Sequence, residues 1–348
     1  MISDRRARDG FALPATLAVL GVVTLIFLVA ITALASLTAE ARSARDRVRF
    51  LERALTAEAN LSYMAATEPI RPFGLAIGSP RLIEDFGPGV TPPAVSSGLE
   101  EAEVRLDGRP YLMDIGGPLT VSLQDQAGLV NLAALDDLSW VRLLALGGID
   151  ARTAQRLVAR YRDYVDPDDL RQVDGAESAD YGAGGGPANR QLLRPAEWLS
   201  VLGARDAMSP QAWMALRDDL AVDPTSVAIN VNTATPRTLR VLFDLSEAQA
   251  QAALRARADA PFYSLGDLAA ATGAPVVDIL ERVYVYPSGR IRFIIRDARS
   301  AWTYRGRLTV DPAGLEQPIW IDQTELSEAP RRARADTSDA ARLPYAPR

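Results

Sequence analysis

The chain has 348 residues, 48% of them apolar and 24% charged, with a formal net charge of −6. It contains no His and no Cys, and every one of its 38 basic residues is Arg. These absences exclude Ser-His-Asp and Cys-His nucleophiles, His- or Cys-ligated zinc, Schiff-base lysines and the phosphate-loop lysine. Carboxylate pairs remain as a catalytic option, but no pair stands out, so a non-enzymatic protein is expected. The negative charge also argues against nucleic acid as the main partner, since phosphate binding needs a basic face. Lack of Cys fits an oxidising compartment without disulfides and fits the cytosol equally well.

Residues 1–10 carry Arg5, Arg6 and Arg8. From Phe11 to Leu37 no Asp, Glu or Arg occurs, a run of about 27 residues or about 40 Å of helix, more than the hydrocarbon core of a bilayer requires. A secretory signal has a shorter apolar region followed by a small-residue cleavage site. Here the small residue, Gly10, precedes the run, which suits a signal trimmed on the cytoplasmic side; an uncleaved signal anchor reads equally well. Charge does not fix the orientation, because the far flank holds Arg42, Arg45, Arg47, Arg49 and Arg53, more than the near flank.

Between Thr38 and about Ala66 the pattern stays helical, with Val48, Leu51, Leu55 and Ala59 at steps of three and four. Residues 68–98 are rich in Pro, Gly and Ser and read as a loop. Glu103–Leu106 and Pro110–Ile115 flank Asp107-Gly108, a hairpin signal, and a third strand from Leu119 to Asp125 follows Gly116-Gly117. Strand-like runs return only at 290–296, 302–310 and 318–322. The intervening stretch from Asn131 to Pro275 is almost wholly helical in pattern. This order predicts an α+β fold in which a sheet domain carries a large α-helical insertion. The expected divisions are 1–10, 11–37, 38–66, 67–130, 131–275, 276–326 and a disordered tail, 327–348.

Inside the helical block two segments look like helix-hairpin-helix units. One is Leu138–Tyr164, hinged at Gly147-Gly148-Ile149-Asp150; the other runs from Ile229 to Arg257 and turns at Asp244-Leu245-Ser246. Pro236 suits the first turn of a helix capped by Thr233 or Thr235. DNA-binding hairpins of this kind use a glycine-rich turn that approaches phosphate. The acidic, glycine-free turn here, followed by Glu247, favours a packing module used for protein contacts. The acidic loop Asp163, Asp166, Asp168, Asp169, Asp174, Glu177 and Asp180 is the best metal candidate, because hard cations such as calcium take clustered oxygens. Its spacing is not that of an EF-hand, and a solvated acidic loop is the bland alternative.

Taken together, Asp9–Leu13, Asp125–Leu132, Tyr164–Asp169, Gly175–Glu177 with Tyr181, and Ile229–Ala234 make the chain resemble the K-type minor pseudopilins of the type II secretion system. The resemblance implies a pilin-like antiparallel sheet domain on the long membrane helix, and cleavage by a prepilin peptidase between Gly10 and Phe11 with N-methylation. It implies anchorage in inner-membrane lipid with a periplasmic C-terminal domain, and partners among the I-type and J-type minor pseudopilins and other pseudopilus subunits. Ala15 stands at the fifth mature position, where most pilin-like proteins have Glu; its absence suits a subunit with none above it, at the filament tip. The resemblance also implies calcium in the helical domain, with Asp166, Asp168, Glu177 and Asp180 as ligands, although Ser178 stands where the family often has Asp. The competing functions are a membrane-anchored DNA-uptake receptor and a minor pilin of a related type IV-like filament.

Overall fold

One uninterrupted helix, α1 (Ala12–Thr67), begins the structure, a computed structural model describing residues 12–77, 102–182, 185–277, 281–310, 318–328 and 340–344. Nothing in its sequence breaks it, since its Thr residues return their hydroxyls to carbonyls three or four residues back and no Pro follows Pro14. Its first half is exposed throughout, with a mean hydropathy of 2.8 over its most apolar window. Among the described residues this is the one helix long and apolar enough to cross a membrane.

The second half of α1 packs on a sheet, and of the expected stripe only Leu51 joins that contact. Phe50, Ala54, Ala57, Leu61 and Met64 are buried, whereas Val48 and Leu55 are 55% and 45% exposed and Ala59 also faces outward. Both series have helical spacing. The sheet selects the one whose small Ala side chains allow close approach, leaving the bulkier Val48 and Leu55 unpartnered.

Beyond α1, β1 (Gly74–Ile77) pairs antiparallel with β2 (Ala102–Arg105) in a small separate sheet. Next come β3 (Asp107–Asp114) and β4 (Pro118–Asp125), paired across the Gly116-Gly117 turn. The hairpin expected at Asp107-Gly108 is therefore corrected. Leu106, fully buried, is the corner where the chain passes from one sheet to the other; its N–H donates to the Phe73 carbonyl and its carbonyl accepts from Asp125. Asp107 faces Gln124 while Pro110 faces Ser122, so the Asp-Gly pair forms a bulge in β3.

Next follows the helical insertion. It contains β5 (Val130–Asn131), α2 (Asp137–Leu146), α3 (Ala151–Val165), α4 (Ala204–Ala207), α5 (Pro210–Leu216), β6 (Leu220–Ala221), β7 (Ile229–Asn230), α6 (Pro236–Phe243), α7 (Glu247–Asp259), α8 (Leu265–Thr272) and β8 (Val283–Tyr284). Parallel two-residue pairings join β5 to β6 and β7 to β8. The insertion has two cores. One gathers Trp140, Tyr161 and Trp198, with ring centroids 4.6 and 6.2 Å apart, around α2 and α3. The other gathers Val231, Leu239, Leu245, Phe262 and Leu268 around α6–α8. Because β8 pairs with β7, the insertion extends past the expected limit at 275.

The chain then completes the sheet with β9 (Arg290–Arg296), β10 (Trp302–Val310) and β11 (Ile319–Glu328). The expected disordered tail begins too early: β11 continues to Glu328, and β12 (Ala341–Arg342) lies parallel to β3, with Leu343 buried against the core. The sheet order is β11-β10-β9-β4-β3-β12. Its two faces differ in chemistry. Leu119, Val121, Leu123, Ile291, Phe293 and Ile295 meet α1, while the alternate positions Ser122, Gln124, Arg292 and Arg296 line the opposite side, toward the insertion.

Candidate functional site

Three constructions determine what this fold presents. The first is the clamp between α1 and the sheet. Arg53 Nε donates to the Ile115 carbonyl at 2.7 Å and its Nη2 to the Gly117 carbonyl at 2.8 Å, while Nη1 pairs with Asp297. Asp46 accepts from Ser300 Oγ at 2.8 Å, Glu58 accepts from the Tyr304 hydroxyl at 2.6 Å, and Arg47 lies over Trp302. Burial alone would raise the Asp297 carboxyl, but the hydrogen bonds from Arg299 and Arg53 outweigh it and hold it below the usual carboxylate value.

The second is the junction where the insertion leaves and rejoins the sheet. The buried Asp125 carboxylate accepts from Asn230 Nδ2 at 2.9 Å, Thr233 Oγ1 at 2.8 Å, and Ser288 through its N–H and hydroxyl at 3.1 and 2.7 Å. Asn232 holds the Phe262 and Val285 backbones. The Gly128 carbonyl accepts from Thr235 N and Thr238 Oγ1. A Cβ on Gly128 would sit 2.3 Å from the Thr233 carbonyl oxygen, so only glycine fits. The two sequence motifs Asp125–Leu132 and Ile229–Ala234 are thus one structural unit. Sequence reasoning missed it, although an Asp and two Asn within apolar runs were a signal for buried polar partners.

The third is the acidic loop after α3. Asp163 is fully buried in the last turn of α3 and accepts from Gln172 N at 3.2 Å. A Cβ on Gly175 would meet the Asp163 carboxylate at 1.9 Å, so glycine lets the loop fold back over it. Glu177 is also buried, and neither of its carboxylate oxygens has a hydrogen-bond partner; nor has Asp166 Oδ1. Burial, then the neighbouring carboxylates with Asp163 foremost, raises the Glu177 carboxyl; burial, then Asp168 and Asp163, raises Asp166. Two of the four expected ligands, Asp166 and Glu177, are therefore brought together beside Asp163, which was not among the four. The other two are engaged: Asp168 accepts from Leu170 N, and Asp180 accepts from Glu177 N and pairs with Arg171. Among the described residues no three acidic groups stand at metal-ligating distance. The orphaned oxygens nonetheless suit a hard cation in their donor chemistry, because a buried carboxylate without a partner is costly.

Gly10 and Phe11 lie outside the described residues, and Ala15 faces outward on α1. The α6–α7 turn places Asp244 in the left-handed region, with its carboxylate 2.9 Å from Arg142 on α2. That turn presents a carboxylate where a phosphate would have to approach.

Residues 121–225 and 229–284 match two family models, both described as Type II secretion system (T2SS), protein K. The first covers the Trp140 core and the second the Phe262 core, so the two matches follow the two halves of the insertion. Over these two segments the chain is similar to type II secretion system protein K. The Type II secretion system protein K of Pseudomonas aeruginosa is 30% identical over 168 residues, 45% of this chain. The match spans half the length of that relative. The fold is also that of a chain in the crystal structure of the GspK-GspI-GspJ complex from the enterotoxigenic Escherichia coli Type 2 Secretion System. That likeness has a TM-score of 0.54 at 17% identity, covering 83% of this chain and 100% of that one.

Proposed function

We propose that this chain is a protein K of the type II secretion system, a non-enzymatic minor pseudopilin which helps to initiate pseudopilus assembly and export from the filament tip. The observation that carries this reading is α1: one rigid helix whose unpartnered apolar half suits a membrane and whose other half is clamped to a sheet bearing the protein K insertion. The inner membrane would hold the first half, with the sheet and insertion in the periplasm. The Escherichia coli neighbour is solved with GspI and GspJ, which supports I-type and J-type pseudopilins as partners here. The exposed Val48, Leu55 and Ala59 stripe offers their helices a packing surface.

Prepilin peptidase would cut between Gly10 and Phe11, and Ala15 would leave no carboxylate to pair with a subunit above. Calcium would sit between Asp166 and Glu177, neutralising their mutual repulsion and that of Asp163. It would act as a structural cross-link that ties the loop to α3. The α2–α3 and α6–α7 pairs serve as helix-hairpin-helix-like packing modules; the Asp244–Arg142 pair speaks against a DNA-uptake role.

The test is co-purification of the full chain, in detergent, with the I-type and J-type pseudopilins of the same cells. A stable ternary complex is the expected result, and absence of any complex would overturn the tip assignment. Gly10→Ala should leave the chain at its unprocessed size on gels, and normal trimming of that variant would count against the peptidase.

A further inference from the structure

The face of the sheet turned away from α1 carries Arg292, Arg296 and Arg305. A cleft of about 860 Å³ opens between that face and the 194–220 segment of the insertion. Its walls include Arg194, Arg205 and Arg217 from the insertion, and Arg292 and Arg305 from β9 and β10. Arg190 and Arg307 line it too, but each is neutralised, by Glu197 at 2.7 Å and by Asp322 at 2.5 Å.

Among the described residues the remaining five guanidiniums have no carboxylate at hydrogen-bond distance: Arg292 donates instead to the Leu220 and Asp218 carbonyls, and Asp218, Asp219, Glu197 and Glu325 act on the group only from further away. Asp218 Oδ1 stands 3.8 Å from Arg217 Nε and 3.7 Å from Arg305 Nη2, and Glu325 reaches Arg305 only at 3.9 Å. These are beyond hydrogen-bond length. The Nε atoms of Arg217, Arg292 and Arg305 are buried with no acceptor at all. Among the described residues Arg194 and Arg205, both exposed at the mouth, have no ion pair. Burial, partly offset by Asp218 and Asp219, lowers the Arg292 guanidinium to about 10, and burial lowers Arg305 as well. A chain of net charge −6 has therefore concentrated unneutralised cations in one concavity.

We propose that this cleft binds an acidic peptide segment of a partner protein, its carboxylates seated on Arg194, Arg205, Arg217 and Arg305. A peptide fits better than a small free anion for two reasons. The arginines come from four separate segments of the chain, so several spaced carboxylates would satisfy them better than one. Leu193, Leu199 and Trp213 also line the cleft, offering apolar contact to the rest of the peptide. One wall is Gln323–Glu325 of β11, the edge strand of the sheet among the described residues, against which an extended segment could lie.

The experiment is fluorescence anisotropy of a fluorescein-labelled ten-residue glutamate peptide titrated with the full chain in detergent micelles, against a glutamine peptide of equal length. Saturable binding of the glutamate peptide alone is expected, weakening about tenfold or more between low and physiological salt. Loss of one charge-assisted contact changes affinity by about tenfold or more, so R194Q/R205Q should weaken binding by about a hundredfold while its melting temperature stays unchanged. Arg305→Gln should weaken it about tenfold. The charge-matched R152Q/R156Q pair, on the exposed face of α3, should leave it unchanged. Equal binding of the glutamine peptide, equal weakening by R152Q/R156Q, or full binding by R194Q/R205Q would each overturn the assignment. So would inorganic phosphate that binds as tightly as the peptide, which would make the site one for small anions. None of these outcomes bears on assembly with the I-type and J-type subunits, which co-purification tests separately.

Discussion

Replacing Arg53 by Ala should loosen the stalk from the sheet. Arg53 donates to three backbone carbonyls of the β3–β4 turn region and pairs with Asp297. Without it, the Asp297 side chain, 6% exposed, keeps only Arg299, which is itself 64% exposed. Removing one partner of a fully buried pair costs about 3–5 kcal/mol. Arg53 is 19% exposed, so solvent screening brings the cost below that range, to about 2–3 kcal/mol. At about 2 °C per kcal/mol for a domain of this size, the melting temperature should fall by about 4–6 °C. Circular dichroism melts of the full chain in detergent provide the measurement, and their pH dependence provides the check. The Asp297 carboxyl is held below its ordinary value, so its contribution is fully present above the unfolded pKa and is lost as pH falls through the lower folded one. The gap between wild type and Arg53→Ala should thus stay constant from pH 8 to 5 and narrow below about pH 4. A drop under about 1 °C, or a gap that widens on acidification, would refute the clamp.

Calcium should raise the melting temperature, because a ligand that binds only the native state stabilises it, by about 2.7 kcal/mol at a hundredfold excess over its dissociation constant. Glu177→Gln should abolish that increment, whereas Asp168→Asn, whose carboxylate is already engaged, should reduce it little; an identical chelator response in wild type and Glu177→Gln would return the loop to a solvated acidic turn. Gly128→Ala should cost at least about 2–3 kcal/mol by overpacking, read in the same melts, since its Cβ would overlap the Thr233 carbonyl and Gln124.

What was legible in the sequence followed from local periodicity. β9 and β10 alternate apolar and polar residues apart from the Phe293–Ile295 run in β9, and their observed limits match the predicted ones; the Gly147-Gly148 break separates α2 from α3. The errors lie where tertiary contact chose between local options. Asp107-Gly108 has hairpin chemistry, yet the pairing of β2 with β1 turned it into a bulge. On α1 the bulkier stripe looked like the core face, but Ala54 and Ala57 allow the sheet to approach, and Ala carries little signal in a pattern. Two-residue β12 is too short to announce itself and depends on the edge of β3. The acidic loop was visible as composition. Which carboxylates turn inward depended on Asp163 being buried in α3 and on Gly175 folding over it.

The bonds between Asp125 and Ser288 have a consequence for the modularity of the chain. They bring the two ends of the insertion, Gln126 and Pro287, within one side-chain length of each other. To the sheet, the whole insertion is then a loop whose ends are already joined. Lengthening a closed loop from about 5 to about 160 residues, some five doublings, costs only about 3 kcal/mol of chain entropy. In chain entropy alone, then, the sheet carries this insertion at little cost, while excision of 127–286 would also remove the Asn230 and Thr233 bonds to Asp125.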